Sequence, residues 1–235
     1  MTVMDRPQFR GAIVAMLAAV VLATTGCASG GAGSGDNLTG QGARDAAGMT
    51  QAQVAGLSSE DEFELAGERY DHGQAVLAAA QEQISSGKWF WSGGDVRPLP
   101  AGDGAFGAAP KGATKENSYF FRAVRTIEPD GATGAEEDLA PMQRYFDEEG
   151  WRSSSAKVGT DHEVRADTGD GWWVTWSVRP NGQYALGVYS EAFWVRDAPA
   201  LIKAISLRDP ADFPDESEPG VAEPFPKWRD PVRRR

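Results

Sequence analysis

Two periods of hydrophobicity divide the chain. From residue 59 to residue 84, Phe63, Ala66, Tyr70, Gly73, Leu77, Ala80 and Ile84 recur at intervals of three and four, which lines them along one stripe of an α-helix. Ser59 followed by Glu62 reads as the box that satisfies orphan N–H groups at its start, and Gly87 as its stop. Gly73, next to Asp71 and His72, is the expected place for a kink, because glycine weakens a helix interior by about 1 kcal/mol. Further on the period changes to two. Residues 119–127 are rich in aromatic and β-branched side chains and predict a strand, residues 139–149 a helix with Leu139, Met142, Tyr145 and Phe146 inward, and residues 153–158, 163–168, 172–178 and 183–190 a run of antiparallel strands. Gly169-Asp170-Gly171 and Arg179-Pro180-Asn181-Gly182 supply hairpin chemistry between them. A last short helix, 198–207, is capped by Asp197.

The alternation is cleanest in the third of those strands. Trp172, Val174, Trp176 and Val178 face one way, and Trp173, Thr175, Ser177 and Arg179 the other. Tyr184, Leu186 and Val188 continue the apolar side on the neighbour. The fold class this predicts is α+β: an antiparallel sheet of four to five strands, one face covered by two helices and the other turned to water.

Around this core the composition changes. Residues 28–58 hold 8 Gly among Ser, Ala and Asn and read, with Cys27, as a flexible tether (27–58); a coil of that length reaches about 30 Å. Residues 92–117 form a long loop with 6 Gly and 3 Pro, inside a single domain expected over 59–207. The segment 208–235 is Pro-rich, acidic first and basic last, with five bases in its final nine residues, and is expected to be disordered.

Charge and cysteine usage narrow the partners. The 235 residues carry 34 acidic and 23 basic side chains, a formal charge of -11, which argues against nucleic acid as a partner, since phosphates reward a basic surface. A single cysteine, Cys27, excludes an internal disulfide framework and any cysteine-cluster metal site. At the N-terminus, Arg6 and Arg10 precede the uncharged run GAIVAMLAAVVLATT at 11–25, the arrangement of a secretory signal over residues 1–26. It is too short for the roughly 20 residues of a membrane span.

Thr24, Thr25 and Gly26 before Cys27 resemble the lipobox of bacterial lipoproteins. That resemblance implies a diacylglyceryl group on the Cys27 thiol, cleavage that leaves Cys27 first, and a chain anchored on the extracytoplasmic face of the cell membrane. Thr24 departs from the Leu or Val usual three residues before the cysteine. Arg outnumbers Lys 17 to 6. With the order of elements over 59–195 and the motifs EEGW (148–151) and ADTGDGWWV (166–174), the chain is similar to a group of uncharacterised actinobacterial lipoproteins. This implies a fold and a location but no activity.

Several motifs match reactive patterns without their required context. GDGAFG at 102–107 matches GxGxxG, but prolines flank it where a strand and a helix are required. Ser85-Ser-Gly-Lys88 and Ser154-Ser-Ala-Lys157 match Ser-x-x-Lys without the further Ser-x-Asn and Lys-Thr-Gly elements of that chemistry. His72 and His162, the only histidines, have no zinc-binding spacing and read as surface side chains. The acidic runs 136–138 and 147–149 read as solvated helix ends. The positions with binding potential are Trp173, Tyr189, Arg165, Thr175 and Arg179, which share the outward sheet face and suit stacking on a sugar ring or anchoring a protein. The expected function is a lipid-anchored, non-catalytic binding or accessory module of the cell envelope, without cofactor or metal, whose partner is an envelope protein or wall polymer. The alternatives are a wall hydrolase using carboxylates and a small-ligand carrier.

Overall fold

The computed structural model describes residues 42–102, 109–208 and 216–233. The predicted signal segment, Cys27, the tether up to residue 41 and most of the 102–107 glycine motif lie outside the described residues. A short helix α1, Gln51–Ala55, leads into the long helix α2, Ser59–Glu82. The box that starts α2 is one residue earlier than expected. Ser58 is the cap, its side chain accepting from the Asp61 N–H while the Asp61 carboxylate accepts from the Ser58 N–H. Two overlapping S-x-x-[D/E] frames compete here, and the frame with its serine in extended conformation prevails.

α2 runs unbroken through Gly73. Glycine is required there for close approach: a Cβ on Gly73 would stand 2.5 Å from the ring of Trp172. Gly67, two turns earlier, does the same for Phe225 at 2.9 Å. The predicted stripe is the buried one, with Phe63, Ala66, Tyr70, Leu77 and Ala80 all at most 2% exposed.

The strands are β1 Trp89–Trp91, β2 Leu99–Pro100, β3 Ser118–Phe120, β4 Arg122–Ile127, β5 Arg152–Val158, β6 Asp161–Asp167, β7 Trp172–Val178, β8 Tyr184–Ser190, β9 Phe193–Trp194 and β10 Glu216–Ser217. Helix α3, Ala140–Glu148, follows a 3₁₀ turn Glu136–Leu139, and α4, Ala198–Ser206, is capped by Asp197. The architecture is α+β with antiparallel sheets, but the main sheet is larger than the four to five strands expected. It has seven in the order β10-β1-β4-β8-β7-β6-β5, and a second sheet has the order β2-β3-β9. The expected single strand over 119–127 is split between the two. At Phe121 the chain changes sheet, its N–H donating to Ser190 Oγ and its carbonyl accepting from the Ser190 N–H. α2 packs against β8, β4 and β7, and α3 against β5 and β6.

The folded unit extends past both ends of the expected 59–207 domain. Asp45 pins the stretch before α1: its carboxylate accepts from the Ala47, Met49 and Trp194 N–H groups and lies 3.5 Å from Arg69. Val54 is 1% exposed. At the other end, residues 216–233 are packed rather than disordered. Phe225 lies 5.5 Å from the rings of both Phe63 and Tyr70, Trp228 5.5 Å from Phe63, and the Tyr70 hydroxyl donates to the Glu223 carbonyl at 2.7 Å. Proline and acid dominate the composition of this segment, yet two aromatics three residues apart suffice to hold it on the apolar flank of α2.

The expected 92–117 loop also contains structure. β2 pairs with β3, Val96 is fully buried, and Asp95 forms a buried ion pair with Arg125 at 2.6 Å. Arg125 stacks 3.5 Å from the Trp91 ring centroid. Burial pushes the Asp95 carboxyl above its usual range, with Arg125 pulling the other way.

Candidate functional site

The outward face of the main sheet is set out in registered rows. One row runs Arg122, Tyr189, Trp173, Asp167, Arg152 across β4, β8, β7, β6 and β5. The next runs Val124, Gly187, Thr175, Arg165, Ser154, and the third Thr126, Ala185, Ser177, Glu163, Ala156. Directly opposed residues on one face stand about 4.5–5.5 Å apart at Cβ, so neighbours within a row are in contact range.

Four of the five residues singled out in the sequence come together here. Trp173 and Tyr189 are directly opposed, half-exposed aromatics. Tyr189 lies back along its own strand, since a Cβ added at Gly187 would stand 2.5 Å from its hydroxyl. The missing side chain at Gly187 makes room for that ring. The Arg165 guanidinium sits 3.9 Å from the Trp173 ring centroid, a stacked cation–π contact. Thr175, opposed to both Gly187 and Arg165, is only 5% exposed; it is the floor of the cluster rather than a contact surface.

Arg179 does not join the cluster. It lies six positions from Trp173 along the same strand direction, roughly 20 Å at about 3.3 Å per residue, and faces Asp161 at 3.4 Å. Alternation assigns a residue to a face and says nothing of its distance along it.

The electrostatics of this face are mostly settled internally. Arg152 pairs with Asp167 at 2.6 Å, Ser177 Oγ donates to Glu163 at 3.0 Å, and Trp173 Nε1 donates to Glu191 at 3.3 Å. Arg165 differs. Among the described residues it has no carboxylate within ion-pair distance, and its Nε is buried without a hydrogen-bond partner. Arg122, exposed at the end of the first row, likewise has no ion-pair partner among the described residues, though its field reaches Asp95.

Arg122, Gly187 and Glu191 were not among the positions singled out from the sequence. The pairing of β4 with β8 joins segments about sixty residues apart, and only that register puts Arg122 in line with Tyr189. No local period carries this information.

The other motifs resolve differently. Ser154 and Lys157 sit three apart on β5 and therefore point to opposite faces, which separates a Ser-x-x-Lys pair. Lys88 is drawn to Glu216 at 2.6 Å. His72 lies 3.1 Å from Asp170 across an exposed contact between α2 and the turn before β7. In the acidic run at 136–138, Asp138 accepts from the Tyr184 hydroxyl, from the Thr133 hydroxyl and N–H, and from the Gly134 N–H. The Tyr184 hydrogen bond above all holds this carboxyl below its usual range. Among the described residues no helix is long and apolar enough to cross a membrane, and no group of three or more His, Cys, Asp or Glu side chains is placed to hold a metal. Comparison of the chain with protein-family models, with curated proteins and with solved structures finds no match.

Proposed function

We propose that the protein is a lipid-anchored binding or accessory module of the cell envelope, held at the membrane through Cys27 and presenting the outward face of its sheet. In this reading two helices, α2 and α3, cover one face of the sheet and leave the other for a partner. The observation that carries it is the Trp173 cluster: a partly exposed tryptophan on the outward face, opposed to Tyr189 and stacked by Arg165. Aromatic and arginine side chains of this kind dominate binding energy where surfaces meet. The anchor rests on the sequence alone, from the basic, apolar and small residues that precede Cys27.

The test is photo-crosslinking of the full chain in its own membranes, with the photoreactive residue at Ser177 on the outward face or at Arg144 on α3. Adducts with a reproducible protein or wall fragment from position 177 and not from 144 are expected. In the Cys27→Ser chain the protein should leave the membrane fraction and the adducts should fall away. Equal adducts from both positions would overturn the choice of face, and a membrane-bound Cys27→Ser chain would overturn the anchor.

A further inference from the structure

We propose that the Trp173 cluster is a receptor for an acidic glycan, a saccharide chain carrying carboxylates, with Arg165 as the anion-binding residue. This deepens the binding-module reading above and rests on it. Three observations converge. The first is Arg165 itself. Its guanidinium is fixed over Trp173 at 3.9 Å, its Nε is buried and unbonded, and no described carboxylate pairs with it. A planar cation oriented in advance and with no counter-ion among the described residues is suited to a carboxylate, which arginine binds in a two-pronged geometry.

The second observation is the aromatic plate. Tyr189 lies over Gly187 and is directly opposed to Trp173, and neighbouring aromatic side chains offer apolar surface of the kind that takes the C–H face of a sugar ring. Acceptors line its rim: Glu191 already accepts from Trp173 Nε1 and Glu163 from Ser177. Each of these carboxylates has further lone pairs for sugar hydroxyls.

The third is the disposition of charge. The chain as a whole is strongly acidic, yet the plate is flanked by two cations with no ion-pair partner among the described residues, Arg165 on β6 and Arg122 on β4. Three strand spacings separate β4 from β6, roughly 14 Å at about 4.8 Å each. One sugar does not span that distance, so the ligand has anionic groups on separate units of a chain. At physiological salt the screening length is about 8 Å, so a ligand carboxylate on the plate feels Arg165 and the rim carboxylates Glu191 and Glu163, each already engaged by a donor, ahead of the rest of the acidic chain.

The experiment is isothermal titration of the full chain in detergent micelles with three probes: hexagalacturonate, its methyl ester, and a glycerol-phosphate oligomer. Hexagalacturonate should bind, the neutral ester should not, and the phosphate oligomer should bind more weakly than hexagalacturonate because it offers no sugar face to the plate. Arg165→Gln and Trp173→Ala should each weaken hexagalacturonate by about tenfold or more, as expected for loss of a hydrogen bond to a charged group or of an aromatic stack. Arg165→Lys, which keeps the charge but loses the planar fork, should fall between, and Arg144→Gln on α3 should change nothing. Unaltered melting of each variant shows that the fold is intact.

Equal binding of acid and ester, indifference to Arg165→Gln, tighter binding of the phosphate oligomer, or no binding of any probe would each overturn the proposal. The ester bound in a Trp173-dependent way, or a protein crosslinked from position 177 without glycan binding, would overturn the acidic-glycan assignment and leave the binding face standing. Absence of both glycan binding and crosslinks would remove the face as well.

Discussion

The two faces of β7 differ in what holds their tryptophans. On the inner face Trp172 and Trp176 are 4% and 1% exposed; Trp172 packs tilted against Phe193, and Trp176 edge-on against Trp89 and Tyr184. Their positions are set by volume, and helix α2 has a glycine where Trp172 needs room. On the outer face Trp173 is half-exposed and is set by three discrete partners: Tyr189 opposite, Arg165 stacked on it, and Glu191 at its indole N–H. The same alternation thus yields a core residue that the fold needs and a surface residue that the fold tolerates. Close packing penalises any lost volume, while a polar-rimmed surface aromatic can be removed with little structural loss.

The sharpest way to break this contrast is to truncate both sides. Trp176→Ala should destabilise by about 3–5 kcal/mol, the usual cost of emptying a fully buried aromatic site, read as a fall in denaturation midpoint. A comparable loss is expected for Arg125→Met. It strands the Asp95 carboxylate, 3% exposed, without its 2.6 Å partner, and breaking one side of a buried pair costs about 3–5 kcal/mol. The double variant Asp95→Leu with Arg125→Met should recover most of that loss, because removing both charges also removes the desolvation penalty. If the double variant is as unstable as the single, the pair is fixed by shape rather than charge.

Intermediate in size is Phe225→Ala, which lifts the C-terminal segment from Phe63, Tyr70 and Phe121. A partly buried aromatic of this kind is worth about 2 kcal/mol. Hydrogen exchange should rise along the flank of α2 that Phe225 covers, around Phe63, Gly67 and Tyr70, without global unfolding. Trp173→Ala, by contrast, should cost less than about 1 kcal/mol while abolishing crosslinks from position 177. A loss approaching that of Trp176→Ala would mean that the outer tryptophan is a core residue after all.

What was legible in the sequence follows the same division. The stripe of α2, the four meander strands and the Asp197 cap are short-range signals, with periods or cap chemistry complete within a few residues, and each is seen with boundaries shifted by only a residue or two. Pairings between distant segments were not legible. β4 with β8, β1 with β10 and the switch of sheets at Phe121 depend on contacts that no local period encodes. Composition misled at both ends. Asp45 lies in a Gly-rich stretch and Trp228 in a Pro-rich one, and in each a few well-placed side chains outweigh the average character of the segment. At the candidate site the face of each residue was readable and its neighbours were not: Trp173 and Arg165 stand together, Arg179 on the same face lies far along the strand, and Arg122 enters only through the pairing of β4 with β8.

The smallest expected effect lies where the two faces meet water. Tyr184 is an inner-face residue, 3% exposed, whose hydroxyl reaches the rim and donates to Asp138. That hydrogen bond is the first cause of the lowered Asp138 pKa. A carboxyl held below its unfolded value, about 3.9, binds fewer protons in the folded state. Its stabilisation is therefore fully present above that value and lost as pH falls through the folded pKa. In Tyr184→Phe the Asp138 titration, followed by carboxyl carbon NMR, should move up toward the ordinary aspartate range. The stabilisation that Asp138 contributes above its unfolded pKa should shrink, so stability near pH 7 falls slightly and the drop from neutral to acid pH becomes smaller. An unchanged Asp138 titration would show that the Thr133 hydroxyl and N–H and the Gly134 N–H hold the carboxylate by themselves. The rim would then be fixed by the turn and not by the core residue beneath it.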